Sequence, residues 1–430
     1  MLWFRFLIIL AATAALPVAS PVFGQVDAPV GVQPGDQHRR DVEAKLQKRV
    51  NCEFDQTPLK KAIEELQRQV GVEIAIEDDP LADVGLTADV PVSLQLSQIR
   101  LRTALEMILN QLDLTYRIGA KGLILTTYEV TETDLPSVFY PCKDLAQSRD
   151  RDGADYDRLI DCIEGTIAPP AWSELGGPGS IKSRDGGLLI TQTDEIQLKI
   201  GDLLAALRRA KDLPRDNYDP QTIEPGEQRS DREQIDKAMS VVFPEWTLKS
   251  TSLAELADLL TQRTGVQTHI NDRALEDVGL SRDFELTGSW RNATAADVMK
   301  VVFEVTDLTA EYRDDVYVIT SSEDAESNLQ LKVYPVRDFF AADNAAKAQW
   351  RQSVARFAAN PNALMLTMTG TIEPESWEEF GGPGAARVCE SADVIVVSQI
   401  GEVHQQLEQL LQEIRAGRFA RDQPIPIIDP

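Results

Sequence analysis

The sequence is poor in the residues that most chemistry needs. It holds 3 histidines and 4 cysteines in 430 positions, with 6% aromatic residues. The histidines, His38, His269 and His404, stand in a lead-in, a strand and a helix, and no two have metal-ligand spacing, so incidental or structural roles are expected for them. No glycine-rich stretch is followed by Lys and then Ser or Thr, which excludes a phosphate-binding loop. No Ser, Cys or Thr sits in a nucleophile context, so neither an enzyme nor a cofactor is expected. Positive charge is also short: 43 Lys and Arg against 69 Asp and Glu leave a formal charge of −26. That balance argues against nucleic acid or an anionic membrane surface as the main partner.

One apolar run stands out, residues 6–18, and it is shorter than the roughly 20 residues that span a bilayer. Arg5 precedes it, and Val22 and Gly24 put small residues before Gln25, so residues 1–24 read as an export signal. With no cysteine close behind, a lipid anchor is not expected. The mature chain is expected to be periplasmic or otherwise exported, not integral to a membrane, with a formal charge of −27 once Arg5 is gone. Residues 25–41, rich in Pro, Gly and Asp, read as a flexible lead-in, and residues 418–430 as a Pro-rich tail.

What the sequence does have is repetition. GTIAPPAWSELGGPG at residues 165–179 returns as GTIEPESWEEFGGPG at 370–384, an offset of 205. Upstream, Gly71-Val72, Asp83-Val84-Gly85-Leu86, Asp113-Leu114-Thr115 and Tyr140-Pro141 return at Gly265, Asp277, Asp307 and Tyr334, all at an offset of 194. The extra residues are expected in the helical stretch 341–359. Apolar spacing divides each half into a module of order βαββαββ and a second of order βαββα, an α+β class of small two-layer sandwiches. The expected spans are 42–133 and 134–211, a linker at 212–235 marked by three prolines, then 236–327 and 328–417. The first module's opening helix is expected to start at Thr57-Pro58, with Leu59, Ile63, Leu66 and Val70 on one face and a stop at Gly71.

Two groups of residues are singled out. Gly176, Gly177 and Gly179, with Gly381, Gly382 and Gly384 in the second copy, suit a tight reversal. Trp172 and Trp377, four residues before the glycines, either pin that loop to its own module or dock on a partner, and burial is favoured. In an oxidising compartment Cys142, on a strand, and Cys162, on the next helix, are expected to form a disulfide, two separate buried thiols being the alternative; Cys52 and Cys389 have no obvious mates. Asp150, Asp152, Asp155 and Asp157 cluster around Gly153 without calcium-loop spacing and read as a solvated turn entering a helix.

TPLKKAIEELQRQVGVEIAIE, the DVGL turn, the second helix and the hairpin ending LILTT resemble the short N-terminal domain shared by secretins and TonB-dependent receptors. The unit with Tyr-Pro, a helix, a hairpin ending LLITQT and the helix EIQLKIGDLLAALRR is similar to the ring-building modules of secretins. The resemblance spans nearly all of residues 42–415, twice over, and secretins go on into a β-barrel that has no counterpart before Pro430. It implies a soluble relative or accessory of envelope secretion that binds an envelope protein or itself, or else a ligand-sensing relay.

Overall fold

A computed structural model describes residues 34–147, 154–214, 218–226, 229–313, 316–340 and 361–416. The fold is α+β, built of small sheets with helices against them. Helix α1 (Pro34–Leu46) precedes β1 (Arg49–Pro58), α2 (Leu59–Val70), β2 (Glu73–Ile76), the short α3 (Asp78–Asp83), β3 (Pro91–Arg100), α4 (Leu101–Asn110), β4 (Leu114–Ile118), β5 (Gly122–Thr127) and α5 (Tyr128–Thr133). β1 pairs antiparallel with β3, and β5 lies between β2 and β4. Then come β6 (Ser137–Pro141), α6 (Asp157–Thr166), β7 (Ser180–Arg184), β8 (Gly187–Thr191) and α7 (Asp194–Lys211), with sheet order β6-β8-β7.

The second half repeats this plan. α8 (Arg229–Met239), β9 (Val242–Ser252), α9 (Leu253–Thr264), β10 (Gln267–Ile270), α10 (Asp272–Asp277), β11 (Glu285–Thr294), α11 (Ala295–Thr306), β12 (Leu308–Arg313), β13 (Val316–Ser321) and α12 (Ser322–Ser327) form sheets β11-β9 and β10-β13-β12. β14 (Gln330–Pro335), α13 (Arg337–Phe340), α14 (Pro361–Thr371), β15 (Ala385–Cys389), β16 (Val394–Gln399) and α15 (Gly401–Arg415) follow, with sheet order β14-β16-β15. Even the backbone exceptions recur: Gln56, Gln98 and Asp113 have positive φ, and so do Ser250, Asn292 and Asp307, each 194 residues on.

Three expectations need correcting. The lead-in ends in a helix, because Val42 and Leu46, one turn apart, are buried in the first core while Arg39 pairs with Asp194. α8 likewise begins inside the expected linker and buries Ile235 and Met239. Thr57 does not cap α2: its hydroxyl bonds the carbonyl of Asp55, three residues before Pro58 gives way to helix, and β1 runs to Pro58. Gly71 does end α2, at φ +71°. Residues 341–359, where the extra length is expected, lie outside the described residues.

The halves stack face to back. In β16 four successive residues, Val394, Ile395, Val396 and Val397, are buried. Alternate side chains of a strand leave opposite faces. Ile395 and Val397 join Tyr334, Leu407 and Leu411 in the core of their own module, whereas Val394 and Val396, with Val333, join Ile163, Leu203 and Leu207 of α6 and α7. β13 does the same. Tyr317 and Ile319 serve their own core, and Val316 and Val318 enter the core of the first module. The linker fastens this stack: Ile223 exchanges two backbone hydrogen bonds with Val333 at 2.9 Å, and Arg337 donates to the carbonyls of Leu213 and Lys211 at 2.8 and 3.0 Å.

Candidate interaction site

Both copies of the repeated loop have one construction. Trp172 and Trp377 are each 1% exposed, and their indole N–H groups donate to the carbonyls of Ile167 and Ile372 at 2.8 and 2.7 Å. On either side of each Trp lies a single turn of 3-10 helix, Pro169–Ala171 and Ser173–Leu175 in one copy, Pro374–Ser376 and Glu378–Phe380 in the other. Gly176 and Gly381 turn the chain at φ +91° and +90°, a region that favours glycine. A Cβ on Gly177 would meet the Ala171 carbonyl carbon at 2.2 Å, and one on Gly382 the Ser376 carbonyl carbon at the same distance. Gly179 and Gly384 lie against the buried amides of Gln192 and Gln399, which donate to the carbonyls of Ala171 and Ser376. The two glutamines were not singled out from the sequence, although Gln192 directly follows β8 and Gln399 ends β16. The Trp is therefore an anchor, and what the loop presents outward is Leu175, 70% exposed, and Phe380, 59% exposed, at equivalent positions.

The loops border a cleft of about 660 Å³ where the modules meet, lined by Pro169, Pro170 and Leu175 from the first copy and Glu378, Gly382 and Pro383 from the second. Charged groups line it in pairs. Arg102 bonds Asp202 at 2.9 Å and Glu106 at 3.0 Å, and Lys332, 3% exposed, is held by Glu224 at 2.8 Å and Glu408 at 3.4 Å. A neighbouring cleft of about 260 Å³ reaches Tyr116, Glu311 and Arg313. Glu311, 3% exposed, accepts from Arg313 Nε at 3.0 Å through Oε2, while its Oε1 and the Tyr116 hydroxyl are buried without a partner.

Burial, partly opposed by Arg313, pushes the Glu311 carboxyl up to about 7 from 4.5. Between those values the folded chain keeps a proton that the unfolded chain has released. The group's contribution to stability is then greatest below pH 4.5 and falls as the pH rises to 7, by up to roughly 3 kcal/mol. Unfolding free energies of wild type and Glu311→Gln, measured across that range, are expected to differ by an amount that changes with pH. A constant difference would return the carboxyl to its ordinary value.

The remaining expected residues are dispersed. His38 bonds the Gly119 carbonyl at 2.9 Å, His404 is fully buried between the Tyr334 hydroxyl at 2.8 Å and the Gln330 carbonyl at 2.9 Å, and His269 lies on β10. Asp157 opens α6 and Asp155 precedes it, while Asp150, Asp152 and Gly153 lie outside the described residues. All four cysteines are buried free thiols, and Cys142 and Cys162, expected to pair, have different neighbours. α6 turns Cys162 toward the second half, where its thiol meets that of Cys389, and Cys142 instead neighbours the Leu188 backbone and Arg208.

Among the described residues no group of three His, Cys, Asp or Glu could hold a metal ion, and no helix is long and apolar enough to cross a membrane. No family model matches the chain, and no curated protein matches it. Among solved structures, one described as "Structure of XcpQN012" is similar over 60% of this chain and 98% of its own, at 10% identity and a TM-score of 0.16.

Proposed function

We propose that the chain is an exported, non-catalytic assembly protein of the cell envelope that associates with further copies of itself through the faces its two halves leave open. One observation carries this reading: the back of a second-half sheet is buried against the first half twice, Val316 and Val318 in the core of one module and Val333, Val394 and Val396 against α6 and α7 of the other. In the second half the sheet backs carry Val318, Val333 and Val396, all buried against the first half. The corresponding backs in the first half carry Ile124, Phe139 and Leu189, which are half-buried. At the opposite end, α14 and α15 form the outer helix layer, with Leu366 exposed. A contact between unlike faces repeats from copy to copy, closing into a ring or running on as a filament. Light scattering over a range of concentrations is expected to find an oligomer that Phe139→Asp or Leu189→Asp dissociates without lowering the melting temperature. A wild-type monomer at every concentration would reject the proposal.

A second reading, sensing of a small ligand, is favoured by the two unpartnered polar atoms of Tyr116 and Glu311 in one cleft. A small molecule bridging them would raise the melting temperature of the wild type and not of Tyr116→Phe.

A further inference from the structure

α6 of the first half lies along β15 of the second, and four side-chain positions define its contact face. Arg158 pairs with Glu390, Asp161 with Arg387 at 3.5 Å, and Gly165 comes so close that a Cβ there would meet Arg387 Nε at 2.4 Å. Positions 158, 161, 162 and 165 follow the i, i+3, i+4, i+7 spacing of one helix face. Cys162 therefore sits in the middle of that face, and opposite it, between Arg387 and Glu390 in sequence, is Cys389. The thiols are in hydrogen-bonding contact and belong to the same apolar cluster, 0% and 3% exposed.

We propose that Cys162 and Cys389 are a disulfide site that fastens the two halves of the chain to each other. The two sulfurs come from unlike elements, a helix and a strand, of the two copies of one module. Thr367 stands where the second half would repeat Cys162, and Arg184 where the first half would repeat Cys389. The pair meets because the halves stack face to back, and a stack of separate copies would place Thr367 and Arg184 together instead. The bridge is therefore confined to a single chain.

The chemistry balances with a disulfide donor, either a low-molecular-weight disulfide or an oxidised dithiol of another envelope protein. Cys389 is the attacking thiol. With the halves apart, the Ser391 hydroxyl and the N–H groups of Ser391 and Ala392, next to it in sequence, stay beside its sulfur and favour the thiolate. Its thiolate displaces one donor sulfur as RS⁻ and forms a mixed disulfide. Cys162 then attacks the Cys389 sulfur and releases the second RS⁻. Two thiol protons leave with the two RSH, and two electrons pass from the protein sulfurs to the donor. Both thiols are buried, so exchange takes place while the halves are apart, during folding or opening, and is sealed when they close. Cys52 and Cys142 are pushed up to about 12 and about 11 by burial and stay thiols.

The test uses the full chain, folded and treated with oxidised glutathione, then denatured in alkylating reagent without reductant. Two of the four thiols are expected to be labelled, with a Cys162–Cys389 peptide pair in a non-reducing digest. Cys142→Ser is expected to keep the pair. Cys162→Ser and Cys389→Ser are each expected to lose it, along with the rise in melting temperature that oxidation gives the wild type. Four labelled thiols in the oxidised wild type, a Cys142–Cys162 pair, or a link between chains would each overturn the proposal. The wild-type digest decides the matter even if a variant fails to fold.

Discussion

Trp172→Ala and Trp377→Ala are each expected to destabilise their own module by about 3 to 5 kcal/mol. Each indole is 1% exposed, so truncation removes the apolar surface that joins the loop to the core and leaves a cavity. It also strips a donor from the Ile167 or Ile372 carbonyl. The losses are expected to be similar in size, because the surrounding bonds repeat: Gly177 N–H to the Trp172 carbonyl at 2.9 Å, Gly382 N–H to the Trp377 carbonyl at 3.0 Å, and the closing bonds from Ser173 and Glu378 to Gly179 and Gly384. Denaturant melts of the two variants measure this. A cost below about 1 kcal/mol would mean that the loop is held by its glycines and backbone alone. Trp→Phe, which keeps most of the area and loses the donor, is expected to cost about 1 to 2 kcal/mol, separating packing from hydrogen bonding.

The repeat made much of this legible before any coordinates. Glycines at fixed distances after a Trp, apolar residues at helical spacing in α2, and the hairpin ending LILTT all correspond to elements in the structure. Helices α1 and α8 were hidden because each offers only two buried apolar residues one turn apart, Val42 and Leu46 or Ile235 and Met239, in a strongly charged segment. Composition does not separate the stacked strands from the others: Val-Tyr-Val-Ile in β13 and Val-Ile-Val-Val in β16 are apolar at every position, as strands covered on both faces are, yet Leu-Leu-Ile in β8 is as apolar and leaves Leu189 half-buried. The setting of Cys162 was hidden for the same reason. β6 ends at Pro141, so Cys142 lies just past the strand, and the partner surface that claims the Cys162 thiol belongs to the other half, 227 residues along the chain.

Val396→Asp and Val397→Asp, adjacent and both fully buried, are expected to fail in different ways. A carboxylate in either place loses its hydration without gaining a partner, at a cost of about 3 kcal/mol or more. At Val397 the charge enters the core formed by Tyr334, Leu407 and Leu411, and relief requires unfolding that module. At Val396 it enters the boundary with Ile163 and Leu203, and relief requires only that the halves move apart, after which the sheet keeps α14 and α15 on its other face. Under reducing conditions, so that Cys162 and Cys389 cannot hold the boundary closed, Val396→Asp is expected to increase the radius of gyration and open the segment around Ile223 to protease while the hydrogen-exchange protection signal of α14 and α15 persists. Val397→Asp is expected to lose that signal. The same loss in both variants would show that the second half's sheet cannot stand without the first, and that the two faces of β16 bury one indivisible core.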